Sequence, residues 1–300
     1  MSSFAAHEWF ATPGPFTDAS GYDIGLTDAA AGRPVVEQVV DVVQDLLIYD
    51  LVAQPFYGVD LAPDRAIDEI NFRDVRAIME RALELGTQPL SAACAPDARV
   101  CVRCHNYTKL TVSLLRFLGL PARSRCGFGS YFVADMFEDH WIAEYWNGAE
   151  ARWVMVDAQL DEVWRRMIGF GGDPFDLTGD EFVTAGRAWQ QWRADELDPS
   201  RYGLSSINEH GAHWIAGNLR LDFAALNKIE MLPWDVWGVG WPPNQPVPQD
   251  LSVFDAMSSL AADPDSNLDA IRSMYANDER VRMPGTVFNV LRQAVETVQL

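Results

Sequence analysis

The sequence predicts an α+β fold, on three observations. Apolar residues recur at helical spacing in three stretches of the first 117 residues. Two short runs then flank Asn147-Gly148, a hairpin signal, and the tail returns to helical patterning. With 300 residues and 48% apolar content, the chain can bury a large core.

Residues 1–34 are punctuated by Gly, Pro and Asp and are expected to be irregular. A first helix is expected over 35–52, where Glu37, Asp41, Asp45 and Asp50 interrupt the apolar run and rule against a membrane span. A second, over 65–85, places Ile67, Ile70, Val75, Ile78, Met79 and Leu83 near helical spacing, with Gly86 as a stop. The loop TQPLSAACAPDAR leads to a third helix opening at Cys104. Tyr107, Leu110, Leu114 and Phe117 form its stripe, and Gly119 and Pro121 end it. Residues 123–133 read as a strand carrying the glycines of CGFGSYF, and 140–146 with 151–157 as a hairpin. After Leu160 a loop, GFGGDPFDLTGDEF, precedes a helix at 181–197. Seven of the eleven tryptophans lie between Trp164 and Trp241, a cluster better read as core than as an aromatic groove. WPPNQPVPQD reads as a stiff linker, followed by helices at 251–262, 266–277 and 285–298.

The formal net charge is −20, so the surface repels phosphate backbones and anionic lipid, and neither nucleic acid nor membrane is an expected partner. The opening MSSFAAHEWFATPGPF lacks a basic stretch ahead of an apolar core, so no secretory signal is read and a cytoplasmic location is expected. In that compartment Cys94, Cys101, Cys104 and Cys126 are expected as reduced thiols.

Cys101 to His105, CVRCH, matches the covalent haem-attachment pattern, but no export signal precedes it and a Leu-rich helix starts at the motif. Zinc needs two more ligands than Cys101 and Cys104. No second C-x-x-C or H-x3-H pair exists, and His210 with His213 lie in a glycine-containing stretch. A redox dithiol would want a preceding strand, where this chain has an Ala/Pro/Asp loop. No EF-hand loop occurs. No metal and no cofactor are expected.

What remains is a nucleophile, base and orienter set in chain order: Cys104, His140, Asp157. A cysteine at a helix start has the macrodipole and free N–H groups to favour a thiolate and to hold an oxyanion. His140 would take and return the thiol proton, and Asp157 would fix its tautomer. His105 lies about 100° around the helix from Cys104 and is a poor base.

These residues resemble the transglutaminase-like superfamily. Leu114-Leu115-Arg116-Phe117-Leu118-Gly119-Leu120-Pro121-Ala122-Arg123 follows the family's helix-end motif, with Arg116 12 residues beyond Cys104. His140-Trp141 and Trp153-Val154-Met155-Val156-Asp157 fill the H-x-W-like and W-x-x-x-D strands. That spacing selects Cys104 over Cys101 as nucleophile. The resemblance covers about 102–161 and implies a papain-like α+β core, with an antiparallel sheet packed on the nucleophile helix and a Cys-His-Asp triad. Val102 stands where members often carry Gly, and Ala158 where Pro is common.

The expected organisation is then a mainly helical part at 1–86, a catalytic core at 87–165, and a Trp-rich, helical extension at 166–300. The expected function is cysteine-dependent acyl transfer from an amide of a peptide, a protein or a small molecule, to water or to an amine. The alternative is a non-catalytic binding or assembly module that retains the fold. Arg123 and Arg125 lie on the expected strand beside the site, and Arg123 is read as structural. The glycines of CGFGSYF either admit a substrate backbone or mark a bulge. Asp135, Glu138 and Asp139 are read as a solvated acidic turn. A four-residue loop at 147–150 would set His140 directly opposite Asp157.

Overall fold

The computed structural model describes residues 3–26 and 33–300. Within the stretch expected to be irregular, α1 (Ser3–Phe10) is helical, while 27–32 lie outside the described residues. Helix α2 (Val35–Leu46) buries Val36, Val39, Val40, Val43 and Leu46, the stripe its sequence carries. It ends earlier than expected. Leu47–Tyr49 form strand β1, parallel to β2 (Val100–Val102), with Leu47 opposite Val100 and Tyr49 opposite Val102. A run this apolar suits either state locally, and the distant partner strand decides it. A 3-10 turn at Asp50–Val52 leads into α3 (Ala53–Tyr57).

The helix expected over 65–85 is two, α4 (Pro63–Glu69) and α5 (Val75–Glu84). Asp74 separates them: its backbone is extended and its carboxylate accepts the Arg76 N–H, an N-cap that a continuous helix has no place for. Gly86, at φ 97°, follows α5 in the left-handed region. Strand β2 runs through Arg103 into α6 (Cys104–Phe117), whose residues 104–116 are all buried; Phe117 is exposed, contrary to its place on the expected stripe. Then come β3 (Ala122–Gly129), β4 (Phe137–Asn147) and β5 (Arg152–Val156), the last two forming the expected hairpin.

Helix α7 (Glu162–Ile168) was not expected; Asp161 caps it by accepting the Trp164 N–H. The stretch 181–197 divides into β6 (Phe182–Thr184), paired with β3, and α8 (Ala185–Arg193). After β7 (Tyr202–Leu204) and β8 (Glu209–His210) comes α9 (Ala212–Leu226), also unexpected. It is buried on nearly every side, so it carries no amphipathic signal to read. Strand β9 (Asp235–Val236) and helices α10 (Ser252–Ala261) and α11 (Leu268–Asn277) follow, both helices as expected. The last expected helix, 285–298, is instead a hairpin of β10 (Thr286–Asn289) and β11 (Ala294–Thr297). Exposure there alternates residue by residue, the period of a strand.

The chain divides into two compact units, each made of separate segments: 1–8, 124–141 and 178–300 form one, and 9–123 with 142–177 the other. The second unit holds a continuous apolar core of Val39, Val43, Ile78, Leu110, Leu114, Ala143, Val154 and Val156 among others. The polar side of α6 is satisfied within that unit. Lys109 Nζ donates to the Arg73 carbonyl at 2.6 Å, Ser113 to the Thr17 carbonyl, and Arg116 to the Ala122 carbonyl and Thr17 Oγ1. The first unit packs α8, α9 and α10 together; Trp189 lies 5.0 Å from Phe254 and donates Nε1–H to Asp255. Its buried Arg125 pairs with Asp222, which also accepts the Cys126 N–H. Trp164, Trp189, Trp234 and Trp237 are buried, in line with core packing. Among the described residues no helix is long and apolar enough to cross a membrane.

Candidate active site

The four cysteines form no disulfide and differ sharply in setting. Cys104 is the first residue of α6, after Arg103, whose extended backbone ends β2. It retains 9% exposure while Cys101, on β2, has none. Cys101 gives its backbone N–H to Glu69 Oε2 at 2.6 Å, and its thiol is pushed up to about 12, by burial first and then by Asp50 and Glu69. Such a thiol stays protonated at neutral pH. Cys94 donates to the Asp45 carbonyl, and Cys126 is buried on β3. Of the four cysteines, Cys104 alone stands at a helix N-terminus.

His140 lies on β4 in the unit formed by 1–8, 124–141 and 178–300, one residue before Trp141, where that strand leaves the unit. It is buried among rings of the same unit: Phe132 at 4.7 Å, Tyr131 at 6.1 Å and Phe182 at 6.4 Å, each edge-on. None of these was singled out from the sequence; the aromatic pair Tyr131-Phe132 closing CGFGSYF was the available signal. Of the glycines of that motif, Gly127 serves the fold. A Cβ at Gly127 would strike the Val183 carbonyl oxygen and the Thr184 backbone, so the backbone that approaches closely is that of β6.

Asp157 and Cys104 belong to the other unit. Asp157 follows β5 directly and is buried; its N–H donates to the Pro174 carbonyl at 2.9 Å and its Oδ1 accepts the Gln159 N–H. The hairpin register differs from the expected one. Asn147 pairs with Arg152 and Ala143 with Val156, leaving residues 148–151 as the loop. Continued by one step, this register sets Ile142, not His140, opposite Asp157. Asn147 remains in the ladder and its Oδ1 accepts the Ala149 and Glu150 N–H groups, so the turn starts one residue later and the sum of paired positions moves by two. Two residues apart, His140 and Ile142 lie on the same side of β4.

Neighbouring residues sort into structural roles. Arg123 Nε donates to Glu144 at 2.5 Å and its guanidinium lies 3.9 Å from the centre of the Trp153 ring. Asp135, Glu138 and Asp139 are not one solvated turn. Asp135 is exposed, but Glu138 is buried and accepts the N–H and hydroxyl of Ser205, while burial pushes the Asp139 carboxyl up to about 6. His105 is buried, its pKa driven well below the ordinary value by that burial and then by Lys109 and Arg103. His213 faces Glu209 at 3.6 Å and His210 faces Ser205 at 3.3 Å. Among the described residues no three His, Cys, Asp or Glu side chains converge as a metal site.

Residues 85–158 match the family model of the transglutaminase-like superfamily. The transglutaminase-like segment starts at the end of α5, takes in Cys104, His140 and Asp157, and stops one residue past the aspartate. It spans about a quarter of the chain and includes β2, α6 and the β3–β4–β5 succession. Proteins of this transglutaminase-like kind are in general cysteine-dependent acyl-transfer proteins. No curated protein and no solved structure matches the chain significantly.

Proposed function

We propose that the protein is a cysteine-dependent enzyme that cleaves an amide through a thioester at Cys104. The observation that carries this reading is the contrast within C-x-x-C: Cys104 opens α6 inside the matched segment, whereas Cys101 is a fully buried strand thiol. In the first half-reaction the Cys104 thiolate adds to the amide carbonyl carbon, N–H groups at the start of α6 receive the oxyanion, and the C–N bond breaks as His140 protonates the departing amine. In the second, water or an amine attacks the thioester, His140 removes its proton, and the thiol is regenerated. Asp157 orients the imidazole.

Water is the acceptor we favour, since it is always available and no residue of this chain specifies an amine site. The substrate is a peptide, protein or small-molecule amide, and a reducing, cytoplasmic setting suits four cysteines that form no disulfide. A panel of amides with and without added amines tests the reading, with released amine and transamidated product both measured. Turnover lost in Cys104→Ala supports it. Absence of turnover, together with Cys104 alkylating no faster than Cys94, would favour a binding or assembly module instead.

A further inference from the structure

Arg103 links β2 to α6. Its backbone is extended (φ −124°, ψ 177°), and its carbonyl accepts the Asn106 N–H at 2.9 Å. Its side chain is clamped by Asp50: Nε lies 3.0 Å from both carboxylate oxygens, and Nη2 lies 2.8 Å from Oδ2. The clamp continues the strand pairing. Tyr49 stands opposite Val102, so Asp50 and Arg103 are the next residues along the same parallel ladder. With side-chain exposures of 10% and 22%, the pair is largely out of water, where charges act over longer range than at an open surface.

We propose that Arg103, held by Asp50, is a positioning residue for the nucleophile: it fixes the first turn of α6 and keeps a positive charge on the residue that directly precedes Cys104. The inference rests on the reading of Cys104 as nucleophile. Burial works against the Arg103 charge, yet its proton affinity is raised, by the Asp50 hydrogen bonds and charge, then by Tyr49 and by the Cys104 sulfur. Coupling between two ionising groups is reciprocal, so a thiolate that favours the guanidinium is favoured by it. Three further titratable groups near Arg103 carry no charge at neutral pH. Cys101 holds its proton, His105 is held neutral by burial, and Tyr49 is a phenol. Lys109 is turned onto the Phe72 and Arg73 carbonyls. Asp50 offsets part of the guanidinium's field, so the effect on the sulfur is modest.

The test is the pH dependence of Cys104 alkylation by iodoacetamide, read at that cysteine by mass spectrometry in the full chain without substrate. Arg103→Gln should raise the alkylation midpoint by about half to one pH unit, with Arg103→Lys between it and the wild type. A purely structural role would lower the melting temperature and leave the midpoint where it was. If Arg103→Gln does not fold, Arg103→Met decides by the same criterion. An unmoved midpoint in a folded variant that lacks the charge overturns the inference. Should Cys104→Ala retain turnover, the nucleophile assignment itself fails, an outcome that the midpoint cannot mimic.

Discussion

Ala143 stands opposite Val156 on the β4–β5 ladder. That pairing turns Ile142 toward the position across from Asp157, where the register expected from the sequence places His140. The consequences of assigning the chemistry to Cys104, His140 and Asp157 can be tested residue by residue.

Cys104→Ala and Cys104→Ser should abolish turnover, while Cys101→Ser should largely spare it. Cys101 is a buried thiol pushed up to about 12, so its ionisation has no part at neutral pH. Steady-state assays on both variants check this. An inactive but folded Cys101→Ser would move the chemistry to the C-x-x-C pair.

Asp157→Asn should leave the fold in place and slow turnover some hundreds- to thousands-fold, worth about 3 to 4 kcal/mol in barrier height. The amide presents the imidazole with the wrong hydrogen-bonding pattern. Turnover near that of the wild type would show that no carboxylate at this position orients His140.

Glu69 is buried and accepts from Arg65 Nε at 2.9 Å, Arg81 Nε at 2.7 Å and the Cys101 N–H. Removing it in Glu69→Ala takes the buried carboxylate from Arg65 and Arg81, which keep the Asp97 and Arg99 carbonyls and Glu84, and leaves the Cys101 N–H without its acceptor. The expected loss is about 3 to 5 kcal/mol in chemical denaturation. A loss under about 1 kcal/mol would mean that water replaces the carboxylate at little cost.

Asp139 makes the protein pH-sensitive in a defined window. Burial raises its carboxyl from the ordinary 3.8 to about 6, against the opposing hydrogen bond from Asn218. Between about pH 4 and 6 the folded chain therefore binds a proton that the unfolded chain has released, and stability falls as pH rises through that window. The total is about 1 to 3 kcal/mol, discounted for a side chain that is only partly buried. Asp139→Asn should remove this slope and be more stable at pH 7. Parallel pH–stability curves for variant and wild type would refute the assignment.

Much of the site was legible because it depends on short-range signals. Cys104 is marked by the change from an extended Arg103 to a helix, and the helix end by Gly119, whose φ of 80° suits a residue without a side chain. Asn147-Gly148 located the hairpin. The register was less accessible: whether Asn147 is the last ladder residue or the first loop residue changes which residue faces Asp157, and local sequence accommodates both.

Sequence alone determined the order of Cys104, His140 and Asp157, the helix that begins at Cys104, and the strands that carry His140 and precede Asp157, since each rests on spacing and on residues with few conformational choices. Tertiary structure decided the rest. Leu47–Tyr49 became a strand because β2, some fifty residues on, offers its backbone groups for pairing. Thr286–Thr297 became a hairpin rather than a helix, with β9 pairing along β10. Helix α9 left no periodic trace because burial on nearly all sides removes the polar face by which a helix is recognised. The Asp50–Arg103 clamp belongs to the same class: two residues far apart in the chain meet only because two short strands run side by side.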